Sequence, residues 1–235
     1  MVTEHQDYIY LDEDYIGSPK ETFRFCYNII DNYFSKKVKL EVLDLGCAKG
    51  EWIYHLYKRR KNSNFLGLDD SPILIKEAKK EFNKFDNVKF INGSAEDYTF
   101  SKKFNVINMA GVISYFDNIH HSLKVIRSSL SSDGIAIIFD NFNHFDVDVL
   151  VNYRNNKFSK SFEKGWNLHS LKTIEKKLLE LGLIIDQVKK FHLPFEIDKK
   201  DDPCRSWNVK IDGEKKFMNG LCQVFDLDAI IIKHK

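Results

Sequence analysis

Gly46, Ala48 and Gly50 follow an apolar run in Val42-Leu43-Asp44-Leu45-Gly46-Cys47-Ala48-Lys49-Gly50. That order predicts a buried strand, a glycine-rich turn and then a helix. Such a turn lets a ligand approach bare backbone, and the helix start offers N–H groups without partners. Asp69 ends the next expected strand. An ionised carboxylate only accepts hydrogen bonds, so it suits a vicinal diol such as that of a ribose. The pair reads as the working end of a nucleoside-binding α/β domain. His144 closes Asp140-Asn141-Phe142-Asn143-His144 after the fifth expected strand and is a candidate general base. Tyr115 follows the fourth strand and could line the same pocket.

The elements that must position these groups are punctuated clearly. Residues 1–17 carry Tyr8, Tyr10 and Tyr15 among acids, without a period. Ser18-Pro19-Lys20-Glu21 predicts a helix to about Phe34, with Ser18 as N-cap and Glu21 completing a capping box. Strand and helix then alternate: strand Leu40–Leu45, helix Lys49–Arg60, strand Phe65–Asp69, and a helix from Ser71-Pro72 through Glu81. Val88–Ile91 and Phe104–Met109 are further strands. Asp117 is placed to cap the helix carrying Ile119, Leu123, Ile126 and Leu130. Ile135–Phe139 is the fifth strand, entered by an Asp133-Gly134 turn. Leu171, Ile174, Leu178 and Leu181 mark an amphipathic helix that Gly182 ends. Leu183–Phe191 and Leu227–Ile232 close the pattern. The alternation implies a parallel sheet covered on both faces. Segments 141–167 and 192–225 are insertions, the second with an Asp212-Gly213 hairpin signal.

Several of these segments resemble class I S-adenosylmethionine-dependent methyltransferases. Asp44-Leu45-Gly46-Cys47-Ala48-Lys49-Gly50 is similar to that family's D-x-G-x-G-x-G, with alanine at the middle glycine, where φ > 0 would cost energy. Gly67-Leu68-Asp69-Asp70-Ser71 resembles G-x-D-x-S, whose acid holds both ribose hydroxyls. Gly93-Ser94-Ala95-Glu96-Asp97-Tyr98-Thr99-Phe100 resembles the adenine-edging G-D-A-E-D-L-P-F, with Ser94 at the usual acid. Phe104-Asn105-Val106-Ile107-Asn108 and Leu130-Ser131-Ser132-Asp133-Gly134 are similar to the fourth strand and to the turn before the fifth.

The resemblance implies a seven-stranded, mostly parallel sheet with helices on both faces and an antiparallel last strand. A single domain is implied, with an N-terminal cap and helix over 1–39 and a cofactor core over 40–140. S-adenosyl-L-methionine is the implied cofactor. Its implied contacts are Asp44, Gly46, Cys47, Ala48, Gly50, Trp52, Asp69, Asp70, Ser94, Ala95, Glu96 and Asn108. The insertions at 141–167 and 192–225 leave the carboxyl edge of the sheet, where open α/β sheets bind ligands. With the N-terminal tyrosines they are expected to form the acceptor pocket.

Methyl transfer to an O or N atom of a small molecule is the expected reaction, with His144 and Tyr115 as the catalytic candidates. Arg205 and Trp207 could grip an anionic or flat acceptor. A metal-assisted O-methyltransferase is an alternative, because Asp140-Asn141 resembles the D-N pair of such enzymes. Asn108 stands where they carry a further Asp, so no metal site is expected. A non-catalytic methyltransferase-like scaffold is another. An NAD-binding site fits poorly, since Glu51 falls at the third glycine of the dinucleotide fingerprint.

The 235 residues carry a net charge of +2, with lysines and acids interspersed, so no nucleic-acid partner is expected. Cys26, Cys47, Cys204 and Cys222 form no CxxC pair, and no apolar run is long enough to span a bilayer. A cytoplasmic monomer or homodimer, with no membrane partner, is therefore expected.

Overall fold

The computed structural model describes residues 10–157, 160–202 and 204–235, so Tyr8 lies outside the described residues. The main sheet contains β1 (Glu41–Leu45), β2 (Asn64–Asp69), β3 (Val88–Asn92), β4 (Phe104–Ala110) and β5 (Leu130–Asn143). Two short strands, β6 (Asn152–Tyr153) and β7 (Glu163–Lys164), form a separate hairpin in the first insertion. The tiny β8 (His169–Ser170) pairs parallel with the far end of β5. β9 (Leu183–Lys190) follows, and the second insertion folds as a small sheet of β10 (Trp207–Ile211), β11 (Glu214–Met218) and β12 (Val224–Phe225). The chain returns through β13 (Leu227–His234).

The main sheet has the order β3-β2-β1-β4-β5-β13-β9, with β13 antiparallel to both neighbours. This is the expected seven-stranded path, with β8 added at its margin. Helices α1 (Glu21–Tyr33), α2 (Glu51–Arg59) and α3 (Pro72–Glu81) cover one face. Helices α4 (His120–Ser129) and α5 (Leu171–Glu180) cover the other. Alternation along β5 divides the two cores: Ile135, Ile137 and Phe139 face α1, while Ala136, Ile138 and Phe142 face α4 and α5.

Local chemistry explains most element ends. Ser71 Oγ accepts Leu74 N–H at 3.4 Å, and Pro72 opens α3. Ser170 does the same for Thr173 at the head of α5. Asp212 and Gly213, both with positive φ, turn β10 into β11 as the hairpin signal requires.

Other details differ from the sequence expectation. Helix α1 starts at Glu21 with no side-chain cap, so Ser18 does not cap it. Asp117 does not cap α4 either. It pairs with Lys164 and accepts from Asn167, while Asn118 Oδ1 takes the His120 N–H. Strand β5 begins at Leu130 and runs on to Asn143, so Asp133-Gly134 lies inside it, opposite a register shift near Asn105. The first insertion therefore leaves the sheet at His144.

Candidate active site

The glycine-rich turn is tied to the end of β2: Gly46 and Cys47 N–H donate to Leu68 O at 2.8 and 3.0 Å. Gly46, Ala48 and Gly50 have φ of +79°, +46° and +82°. The left-handed Ala48 costs roughly 1–2 kcal/mol. Asp69 holds it there, since Ala48 N–H donates to Asp69 Oδ2 at 2.8 Å. Ser71 N–H donates to Asp69 Oδ1 at 3.0 Å, which fixes the carboxylate plane. A Cβ at Gly46 would lie 2.2 Å from Val112 Cγ2, so the loop after β4 excludes any side chain there. Asn92 Nδ2 and Gly93 N–H both reach Asp69 O at 2.9 Å. They draw the end of β3 and the half-buried Ser94 and Glu96, with the buried Ala95, toward the same edge. Asp70 is exposed beyond that edge.

Beneath the turn, Asp44 and Asn108 are register partners across β1 and β4. Asn108 Nδ2 donates to Asp44 Oδ1 at 2.7 Å. Desolvation pushes the Asp44 carboxyl up to about 7, the Asn108 bond opposing it and the Asp69 charge adding to it. Asn108 Oδ1 is buried without a partner among the described residues. A desolvated carboxyl beside an orphaned oxygen is a locus that a cationic ligand would satisfy. Trp52, buried against Tyr27 of α1, has an indole N–H that is likewise without a partner among the described residues.

The N-terminal segment straps across this turn. Lys49 Nζ donates to Leu11 O at 3.1 Å and to Glu13 O at 2.5 Å. Tyr15 N–H donates to Glu51 Oε1 at 3.2 Å, and the His55 ring meets Tyr15 O at 2.6 Å. Glu13 pairs with Arg205 of the second insertion and with Lys20 of the loop before α1. The Tyr10 phenol is pushed up to about 12, first by desolvation. The carboxylates of Glu13, Asp69 and Asp140 raise it further, and Arg205 opposes them. Lys20 Nζ lies 5.8 Å from the centre of the Tyr10 ring. An open cleft of about 530 Å³, lined by Glu13, Lys200, Asp201, Asp202 and Arg205, lies beside the strap.

The two insertions meet at the same edge. Gln223 Nε2 donates to Trp166 O at 2.8 Å, and the Trp166 and Phe225 rings lie 6.1 Å apart. Tyr115, half-buried in the single turn after β4, packs over Gly165 of the first insertion. Trp207 lies in β10, where Lys199 sits over its ring. Asp140 is buried and accepts Asn141 N–H at 2.9 Å and Ser114 N–H at 3.2 Å. Its Oδ2 thus ties β5 to the loop after β4, and Asn141 Nδ2 reaches Asn167 O at 3.4 Å. Among the described residues no group of three His, Cys, Asp or Glu side chains is placed to hold a metal ion. His144 sits half-exposed at the carboxyl edge, with Nε2 2.8 Å from Asp228 Oδ2. The sequence reading missed Asp228. Its one signal was an acid at the head of the otherwise apolar Leu227-Asp228-Ala229-Ile230-Ile231-Ile232.

Residues 36–183 match the sequence profile of a family described as "Methyltransferase domain". The chain belongs to the class I S-adenosylmethionine-dependent methyltransferases. The methyltransferase is 27% identical over 170 residues to a malonyl-[acyl-carrier protein] O-methyltransferase of Acetivibrio thermocellus, a match covering 68% of this chain and 59% of that enzyme. The chain thus spans less than two thirds of that relative's length. It is 26% identical over 166 residues to a carboxy-S-adenosyl-L-methionine synthase of Nautilia profundicola, covering 66% and 69%. Its fold superposes on an S-adenosylmethionine-dependent methyltransferase of Clostridium acetobutylicum with a TM-score of 0.59 at 15% identity, covering 96% of this chain and 94% of the other. The cofactor is S-adenosylmethionine, and the Asp44–Asn108 locus and the Asp69-held turn fit it. No helix among the described residues is long and apolar enough to cross a membrane.

Proposed function

We propose that this methyltransferase moves the methyl group of S-adenosylmethionine to an oxygen or nitrogen atom of a small molecule in the cytoplasm. The convergence of three separate segments on the carboxyl edge carries this reading. Residues 10–16, the first insertion and the second insertion meet there through Glu13–Arg205 and Trp166–Phe225, beside the Asp69-held turn.

Bound against that turn, the cofactor supplies a methyl group on a sulfonium leaving group. The chain's own residues then have three tasks. Asp69 accepts hydrogen bonds from the ribose hydroxyls. Asp44 and the free lone pairs of Asn108 Oδ1 face cationic charge, and Ala48 and Gly50 keep the backbone close. Tyr10, Tyr115 and Trp166 wall the acceptor and exclude water, so that proximity contributes much of the rate. His144 serves as base where the acceptor carries a proton that must leave. Arg205, on the cleft, supports an acceptor with anionic character. The name of the Acetivibrio relative gives malonyl-[acyl-carrier protein] as its acceptor, an anionic group borne on a protein, and supports the anionic character alone.

Calorimetric titration with S-adenosylmethionine, with NAD as control, is the first test. A screen of metabolites with methyl-labelled cofactor is the second. Cofactor binding followed by label in small molecules supports the reading. Label appearing only in protein would overturn the small-molecule acceptor.

A further inference from the structure

Because β13 runs antiparallel to β5, its first residues lie at the same edge of the sheet as the ends of β4 and β5. Asp228 is the register partner of Asp140, whose Oδ2 accepts the Ser114 N–H in the loop after β4. Asp228 is therefore one strand, about 5 Å, from Asp140 at the carboxyl edge.

Asp228 is 1% exposed and is followed in its strand by the aliphatic run Ala229-Ile230-Ile231-Ile232. Its Oδ2 meets His144 Nε2 at 2.8 Å, and its Oδ1 is buried without a partner among the described residues. The nearby lysines make their ion pairs with Asp226, Lys216 at 2.8 Å and Lys190 at 3.1 Å, so Lys190 reaches Asp228 only as a more distant charge. A buried carboxylate with one donor is a poor structural element, and an aliphatic side chain would pack the strand better. Desolvation holds the Asp228 carboxyl above its ordinary range, and His144 opposes that shift. The arrangement makes physical sense when the carboxylate's task is to hold one imidazole.

We propose that His144 and Asp228 form a proton-accepting pair, with His144 the base and Asp228 its positioning residue, and that the acceptor group is a hydroxyl. The inference rests on methyl transfer to a small molecule. Held through Nε2, a neutral ring carries its proton there and presents Nδ1 as acceptor. The hydroxyl oxygen forms the new bond to the methyl carbon. The carbon–sulfur bond breaks with its electron pair remaining on sulfur, as a neutral thioether. The hydroxyl proton passes to Nδ1, and Asp228 balances the imidazolium so formed. An amine acceptor attacks in its neutral form and has no need of such a pair.

The test uses methyl-labelled S-adenosylmethionine with matched acceptors that carry one such group each: phenol and aniline, 2-phenylethanol and 2-phenylethylamine, cyclohexanol and cyclohexylamine. Label is expected in hydroxyl members. His144→Ala should lower kcat by about 10²–10³-fold, within the range of general base catalysis, and added imidazole should restore part of it. Asp228→Asn should lower kcat while leaving the KM for acceptor and the cofactor Kd within about twofold. Should Asp228→Asn fail to fold, His144→Gln tests the same step from the exposed side. Long-range ¹⁵N NMR of the free protein should show the proton of neutral His144 on Nε2. Label only in amines, no label in any hydroxyl, a full kcat for His144→Ala, or a proton on Nδ1 would each overturn the pair. Label in no small molecule, with transfer to protein, would instead overturn the function proposed above.

Discussion

Ala48 stands with φ of +46° at the middle of the cofactor turn, pinned there by its N–H bond to Asp69. Glycine adopts that conformation freely but gains entropy in the unfolded chain, so the two effects partly cancel. Ala48→Gly is expected to raise stability by up to about 1 kcal/mol in urea unfolding. Asp69→Ala removes the pin and the diol acceptor together. It should weaken S-adenosylmethionine binding by ~1.5–3 kcal/mol in calorimetry, the scale of hydrogen bonds to a charged group. Unchanged affinity in the folded variant would mean that Asp69 does not face the ribose. Asp44, Gly46, Ala48 and Asp69 were legible in the sequence because strand, turn and helix start are contiguous and each residue type has a local reason. Asp228 was not, since its partner His144 lies 84 positions away and only the sheet order unites them.

At the scale of elements, the strap over residues 10–16 is anchored on Lys49, Glu51 and His55, which belong to the cofactor turn and its helix. It is latched to the second insertion by Glu13–Arg205. The latch is partly exposed, so its worth is at most about 1 kcal/mol. Glu13→Gln should speed hydrogen exchange at the Tyr15 amide by about fivefold, a figure set by that energy, and should raise the cofactor off-rate. Equal exchange in both proteins would show that the latch does not hold the strap. The strap itself was unreadable, because residues 1–17 carry no period and the partners that fix it to the cofactor turn and the second insertion are 36 to 192 positions distant. The helices and strands of the core were legible from apolar spacing, Ser71-Pro72 and Gly182. Asp117 misled as a cap because Lys164, in a hairpin that no pattern announced, draws it away. The β8 pairing was invisible for the same reason: two residues carry no periodicity.

For the whole molecule, burial sets a pH dependence whose sign can be worked out. Asp44 and Asp140 titrate at about 7 and about 6 in the fold, against 3.8 in the unfolded chain. Between those values the folded state holds protons that the unfolded state has lost, so these two groups make stability fall as pH rises from about 4 to 7. Asp31 and Asp186, held below their ordinary value, act oppositely and chiefly below pH 4. Thermal midpoints of Asp44→Asn and the parent should therefore diverge in the variant's favour from pH 4 to 8. A constant difference would mean that Asp44 is already ionised throughout. The sheet order has a further consequence, for synthesis. β13 is made after the other strands of this sheet, yet it fills the gap between β5 and β9. Until residues 227–234 leave the ribosome, a nascent chain displays β5 as an open edge and β9 as a strand with nothing beside it. Such edges invite association with other chains. The growing polypeptide is thus most in need of chaperone cover in the interval between the synthesis of β9 and that of β13, when most of this sheet's core has already been made.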